Sequence, residues 1–96
     1  MMEDRKFTVY NDLYVYLGGE IKNGCLELTS EVSGGDEYPD SEKHYIFSRE
    51  QTEKLFSVIS LEDLIESCRK GRLIWLENYL DETGIHPEER GFYNSI

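Results

Sequence analysis

The sequence predicts an α+β domain: an antiparallel sheet of three to four strands in the N-terminal half, packed against two to three C-terminal helices. Three observations carry this. Residues 7–32 alternate apolar and polar positions around turn signals. Residues 48–84 switch to helical spacing behind two capping serines. The two element types are segregated along the chain, which favours helices on one side of an antiparallel sheet.

Phe7–Tyr10 is a short β-prone run, and Asn11-Asp12 follows as a turn. Leu13–Lys22 and Cys25–Val32 are the next strands, with rival turn signals at Gly18-Gly19 and Asn23-Gly24. Register separates them. A two-residue loop at Asn23-Gly24 pairs Ile21 with Leu26, Gly19 with Leu28, Leu17 with Ser30 and Val15 with Val32. Leu13, Val15, Leu17, Ile21, Leu26, Leu28 and Val32 then share one face. A turn at Gly18-Gly19 would mix apolar and charged groups on both faces. Asn23-Gly24 is therefore the expected hairpin, and Gly18-Gly19 marks a bend or bulge inside a strand.

Residues 33–42 read as an exposed loop, and His44–Phe47 as a last short strand. Ser48 and Gln51 have the spacing of a capping box, opening a helix to about Val58. Ser60 opens a second helix with the stripe Leu61, Leu64, Ile65 and Cys68. Arg69, Lys70 and Gly71 suit its C-terminal end. A third helix runs from about Arg72 to Thr83, with Leu73, Leu76 and Leu80 inward, Trp75 and Tyr79 on its flank, and Gly84 as its stop. Residues 1–6 and 85–96 are expected to be irregular ends of a single domain spanning 1–96.

Charge is the unusual feature of the composition. Twenty acidic residues face ten basic ones, for a net charge of −10. Direct nucleic-acid binding is disfavoured, since phosphates demand clustered Lys and Arg. An anionic membrane is disfavoured by the same repulsion. No run approaches the length of a membrane span, and the N-terminus lacks a signal-peptide layout, so the expected location is the cytoplasm. Cys25 and Cys68 are then expected to be reduced. A basic protein partner is attracted by the charge, which also serves plain solubility.

No catalytic, metal or cofactor motif is present. His44 and His86 lack a recognisable nucleophile nearby in sequence, and the Asp36, Glu37, Asp40 and Glu42 spacing does not match an EF-hand loop. No phosphate-loop pattern occurs. The surface is more informative. The outer hairpin face carries Tyr14, Tyr16, Glu20, Lys22, Glu27, Thr29 and Glu31. From Glu27 to Glu42 the acids are Glu27, Glu31, Asp36, Glu37, Asp40 and Glu42, with no basic residue between them. Tyrosine suits interfaces and carboxylates suit a cationic partner. The candidate partner-binding residues are thus Tyr14, Tyr16, Glu20, Glu27, Glu31, Asp36 and Glu37. The competing reading is that Phe7–Tyr10 or the C-terminal tail covers these tyrosines.

In size, charge and its aromatic-acidic hairpin face at Tyr14, Tyr16, Glu27 and Glu31, the whole chain resembles the small acidic immunity proteins of bacterial toxin–immunity systems. It is a likeness of profile, not of aligned residues. It implies a cytoplasmic, non-enzymatic protein that binds and blocks one toxin, often a basic nuclease. The alternatives are a phage-type nucleic-acid mimic, motivated by the acidic run, and a small enzyme. An exposed strand edge also admits a homodimer.

Overall fold

The computed structural model describes residues 3–33 and 40–94. The elements are β1 (Arg5–Asn11), β2 (Val15–Lys22), β3 (Cys25–Val32), β4 (Asp40–Ile46), α1 (Arg49–Val58), α2 (Leu61–Thr83) and β5 (Glu88–Asn94). The strands form one antiparallel sheet in the order β1-β2-β3-β4-β5. The fold is α+β, with both helices inserted between the last two strands.

The expected hairpin is present in its expected register. Ile21 pairs with Leu26, Gly19 with Leu28, Leu17 with Ser30 and Val15 with Val32. Asn23 and Gly24 take φ of 54° and 78°, the positive values a tight two-residue turn requires. One face of the sheet therefore presents Leu17, Ile21, Leu26 and Leu28, with Tyr45 from β4. These share a single core with Leu55 of α1 and Leu61, Leu64, Cys68, Leu76 and Leu80 of α2. The stacked rings of Trp75 and Tyr79, 4.9 Å apart, flank that core.

The irregularity beside Gly18-Gly19 lies in the facing strand. β1 carries a bulge between Thr8 and Tyr10, opposite Gly18 and Leu17. The glycines accommodate neighbouring rings. A Cβ on Gly18 would meet the Tyr16 ring, and one on Gly19 the Phe7 ring, each well inside van der Waals contact.

Both expected serine caps form. The Ser48 hydroxyl accepts from the Gln51 N–H at 3.1 Å, and the Gln51 carboxamide accepts from the Ser48 N–H at 2.9 Å. The Ser60 hydroxyl accepts from the Asp63 N–H at 3.1 Å.

Several expectations need correction. Leu13 was expected on the core face but is 85% exposed. The turn falls two residues later than Asn11-Asp12, closed by the Asp12 N–H donating to the Val15 carbonyl at 2.8 Å. Leu13 and Tyr14 form its tip, ahead of β2. Val32, at the far end of the same face, is 40% exposed. Within the C-terminal segment expected to be irregular, Glu88–Asn94 form a strand: β5 pairs along its length with β4, from Ile46–Glu88 to Asp40–Asn94. It lacks apolar alternation because it is an edge strand, and its inward Glu89 is held by Lys43 at 2.8 Å instead of by the core. The N-terminal end is likewise ordered from Arg5.

The expected division between a second and a third helix is present inside α2: two helical segments meet at Arg72, whose φ of 60° and ψ of −158° are not helical, so the break falls on Arg72 and not on the expected cap Gly71. This backbone region belongs almost entirely to glycine. Side-chain contacts hold Arg72 there: its guanidinium sits 2.9 Å from Asp12 and 4.3 Å above the centre of the Tyr10 ring. Both contacts are near solvent and offset only part of the strain. Arg72→Gly is therefore expected to melt higher than Arg72→Ala, the reverse of the usual helix order, by about 1 kcal/mol in chemical denaturation. Equal stabilities, or the usual order, would show that the backbone there is unstrained.

Cys68 is buried, and burial pushes its thiol up to about 11. The thiolate is the nucleophile, so Cys68 is inert at neutral pH. Iodoacetamide should label native chain at half-buried Cys25 and spare Cys68, as read by mass spectrometry; prompt labelling of Cys68 would contradict its burial. The folded state keeps a proton that the unfolded chain releases, so this contribution to stability is complete below pH 9 and lost between about 9 and 11.

Candidate functional site

With the helices on one face, the other face of the sheet is covered by no element among the described residues. Strand pairing lays its side chains out in three rows. Lys6, Glu20, Glu27, Ile46 and Glu88 form one. Thr8, Gly18, Thr29, His44 and Arg90 form the middle. Asn11, Tyr16, Glu31, Glu42 and the backbone of residue 92 form the third.

Period-two alternation on β2 and β3 therefore brings Tyr16, Glu20, Glu27 and Glu31 together as expected, and neither β1 nor β5 folds over them. Tyr14 departs from the expectation: it stands in the β1–β2 turn, 59% exposed, at the rim of this face. Asp36 and Glu37 lie outside the described residues.

The electrostatics are unusual for a stable sheet. Glu20 lies directly across from Glu27, and Glu31 directly across from Glu42. Like charges at directly opposed positions are destabilising, by about 0.2–1 kcal/mol a pair. Neighbouring side chains relieve this only in part. His44 sits between two acids, its Nε2 3.0 Å from Glu42 and its Nδ1 3.7 Å from Glu27. Arg90 is paired with Glu88 at 3.2 Å. Glu31 and Glu20 make no ion pair among the described residues.

Thr29 Oγ1 lies 3.1 Å from His44 Nδ1, so Thr29, His44 and Glu42 are connected in the order of a nucleophile, base and orienting acid. Acyl transfer also needs free N–H donors to hold the developing oxyanion. β3 and β4 are interior strands whose ladder bonds consume those groups on both sides. The arrangement holds the imidazole between carboxylates on an open face. No three His, Cys, Asp or Glu side chains among the described residues are grouped to hold a metal ion.

Two shallow depressions flank this network. One, of about 500 Å³, is lined by Lys6, Thr8, Tyr16, Gly18, Glu20 and Glu27. The other, of about 350 Å³, lies at the strand ends among Leu13, Tyr14, Val15, Val32, Glu31 and Glu42. Sequence reasoning missed Glu42 and His44 as members of the face, because only the β3–β4 register, across the intervening loop, places them there. It also missed the exposed Leu13 by assigning it to the core.

Compared with known proteins, the chain matches no family model, no curated protein and no solved structure. No helix among the described residues is long and apolar enough to cross a membrane.

Proposed function

We propose that the chain is a non-enzymatic protein-binding domain of the immunity type, an acidic inhibitor that seats a basic partner protein, such as a bacterial toxin or nuclease, on its open sheet face in the cytoplasm. One observation carries the reading: the uncovered face sets two pairs of glutamates directly opposite each other beside Tyr16. A folded chain gains nothing from that arrangement, and a cationic partner would neutralise it. Arg-rich surfaces meet facing carboxylates through bidentate hydrogen bonds, and tyrosine adds contact area at low entropic cost.

Photo-crosslinking tests the reading. A photoreactive residue replaces Thr8 or Tyr16 on the open face, or Glu82 on α2, and the chain is irradiated in lysate of the source organism. The expected result is a discrete adduct from the face positions only, with a protein of high isoelectric point, formed at about 0.05 M salt and not at about 0.5 M. Adducts from Glu82 alone, or none from the face, would overturn the reading. The same experiment distinguishes phosphate mimicry: a DNA-binding partner whose crosslinking is suppressed by duplex DNA added before irradiation would support the nucleic-acid-mimic alternative over the immunity-type inhibitor.

A further inference from the structure

We infer that the depression at the β1–β2 turn is the anchor point of this interaction, taking an extended segment of the partner that carries an arginine and an aliphatic residue on one side. This rests on the protein-binding reading and names the contact it would use. Leu13, Tyr14 and Val32 are 85%, 59% and 40% exposed and lie together around one depression. The tip is pinned in place. The Asp12 N–H donates to the Val15 carbonyl, and the Ser33 N–H donates to the Tyr14 carbonyl, both at 2.8 Å. Hairpin tips are ordinarily polar, so a fixed tip bearing leucine and tyrosine presents apolar surface to solvent at a set position.

Charge decides the occupant. Glu31 and Glu42 face each other across β3 and β4 on the rim of the same depression. A planar guanidinium can bridge two facing carboxylates while a neighbouring aliphatic side chain covers Leu13 and Tyr14 at the turn. A second copy of this chain would bring another acidic patch against the first, and an anionic bilayer is repelled in the same way. Residues on one side of an extended peptide recur every second position, so the motif is arginine with an aliphatic residue two positions away.

The test is an NMR titration at low salt with two synthetic peptides, Ser-Arg-Ser-Leu-Ser-Arg-Ser and the same peptide with serine in place of leucine. The leucine peptide should shift the amides of Leu13, Tyr14, Glu31, Val32 and Glu42 and bind about fivefold or more tighter than the serine peptide. Leu13→Ser should erase that difference, and Glu31→Gln should weaken both peptides. Equal binding of the two peptides, still weakened by Glu31→Gln, would overturn the anchor while leaving the acidic face as a binding surface. No shift on the face with either peptide would overturn both. Leu13-dependent self-association in sedimentation would assign the depression to a second copy and overturn the proposal.

Discussion

Glu31→Lys is expected to raise the melting temperature by a few degrees while weakening partner binding by about 100-fold. The two effects have one cause. Glu31 faces Glu42 on β4 and Tyr16 on β2, and no cation among the described residues pairs with it. The cross-strand separation of about 5 Å is shorter than the screening length in physiological salt, so the repulsion survives in solution. Reversing the charge converts a repulsive pair into an attractive one and sets a cation beside a tyrosine ring. The gain is up to about 1 kcal/mol, which moves the melting temperature of a domain this size by several degrees. At an interface the same change places like charge against the partner's basic surface and removes a desolvated charge pair, a loss of about 2–5 kcal/mol. Glu82→Lys on α2 makes the same change in net charge away from the face and is the control. Calorimetric melting and binding to the crosslinked partner are the measurements. A variant that melts lower, or binds as tightly as the parent, would remove the argument that the face trades stability for binding.

The parts of this face that could be read in the sequence are those set by local periodicity. Tyr16, Glu20, Glu27 and Glu31 occupy one side of a hairpin whose turn chemistry and register were both explicit at Asn23-Gly24. Glu42 and His44 belong to the face only through pairing across the segment after Val32, and no local pattern encodes that. β5 was invisible for a related reason. Its residues carry charge on both sides, since its inward position is satisfied by Lys43 and not by the core, so the alternation that marks a half-buried strand is missing. The break in α2 was legible as a stop signal at Arg69-Lys70-Gly71, but the residue that bears it was not. Gly71 looked like the residue that would bear an unusual backbone, yet the positive φ falls on Arg72, where contacts to Tyr10 and Asp12 from the other side of the core make it tolerable. The exposed Leu13 was misread because hydrophobicity alone assigns leucine inward, whereas the turn closure that excludes it depends on one backbone hydrogen bond.

Thr52→Val is expected to do the reverse of Glu31→Lys: lose about 1–3 kcal/mol of stability and leave partner binding unchanged below the melting transition. Thr52 is 2% exposed and ties α1 to the sheet. Its hydroxyl donates to the Ser48 carbonyl at 2.8 Å and accepts from the Leu26 N–H at 3.0 Å. The neighbouring Leu26 carbonyl is taken by the Phe47 N–H, where the chain leaves β4 for α1. The Leu26 N–H therefore depends on the threonine. Valine matches threonine in shape, so no cavity is left, but it strands a buried donor, and the full desolvation penalty falls on that N–H. Thr52→Ser keeps the hydroxyl, loses only a methyl group and should cost less than Thr52→Val. Valine equal to serine in urea unfolding would show that the bond contributes nothing. None of the atoms involved lies on the open face, so a partner that binds there should detect no difference. Stability rising with loss of binding at Glu31, and falling without loss of binding at Thr52, is the pattern that separates a surface kept for a partner from a bond kept for the fold.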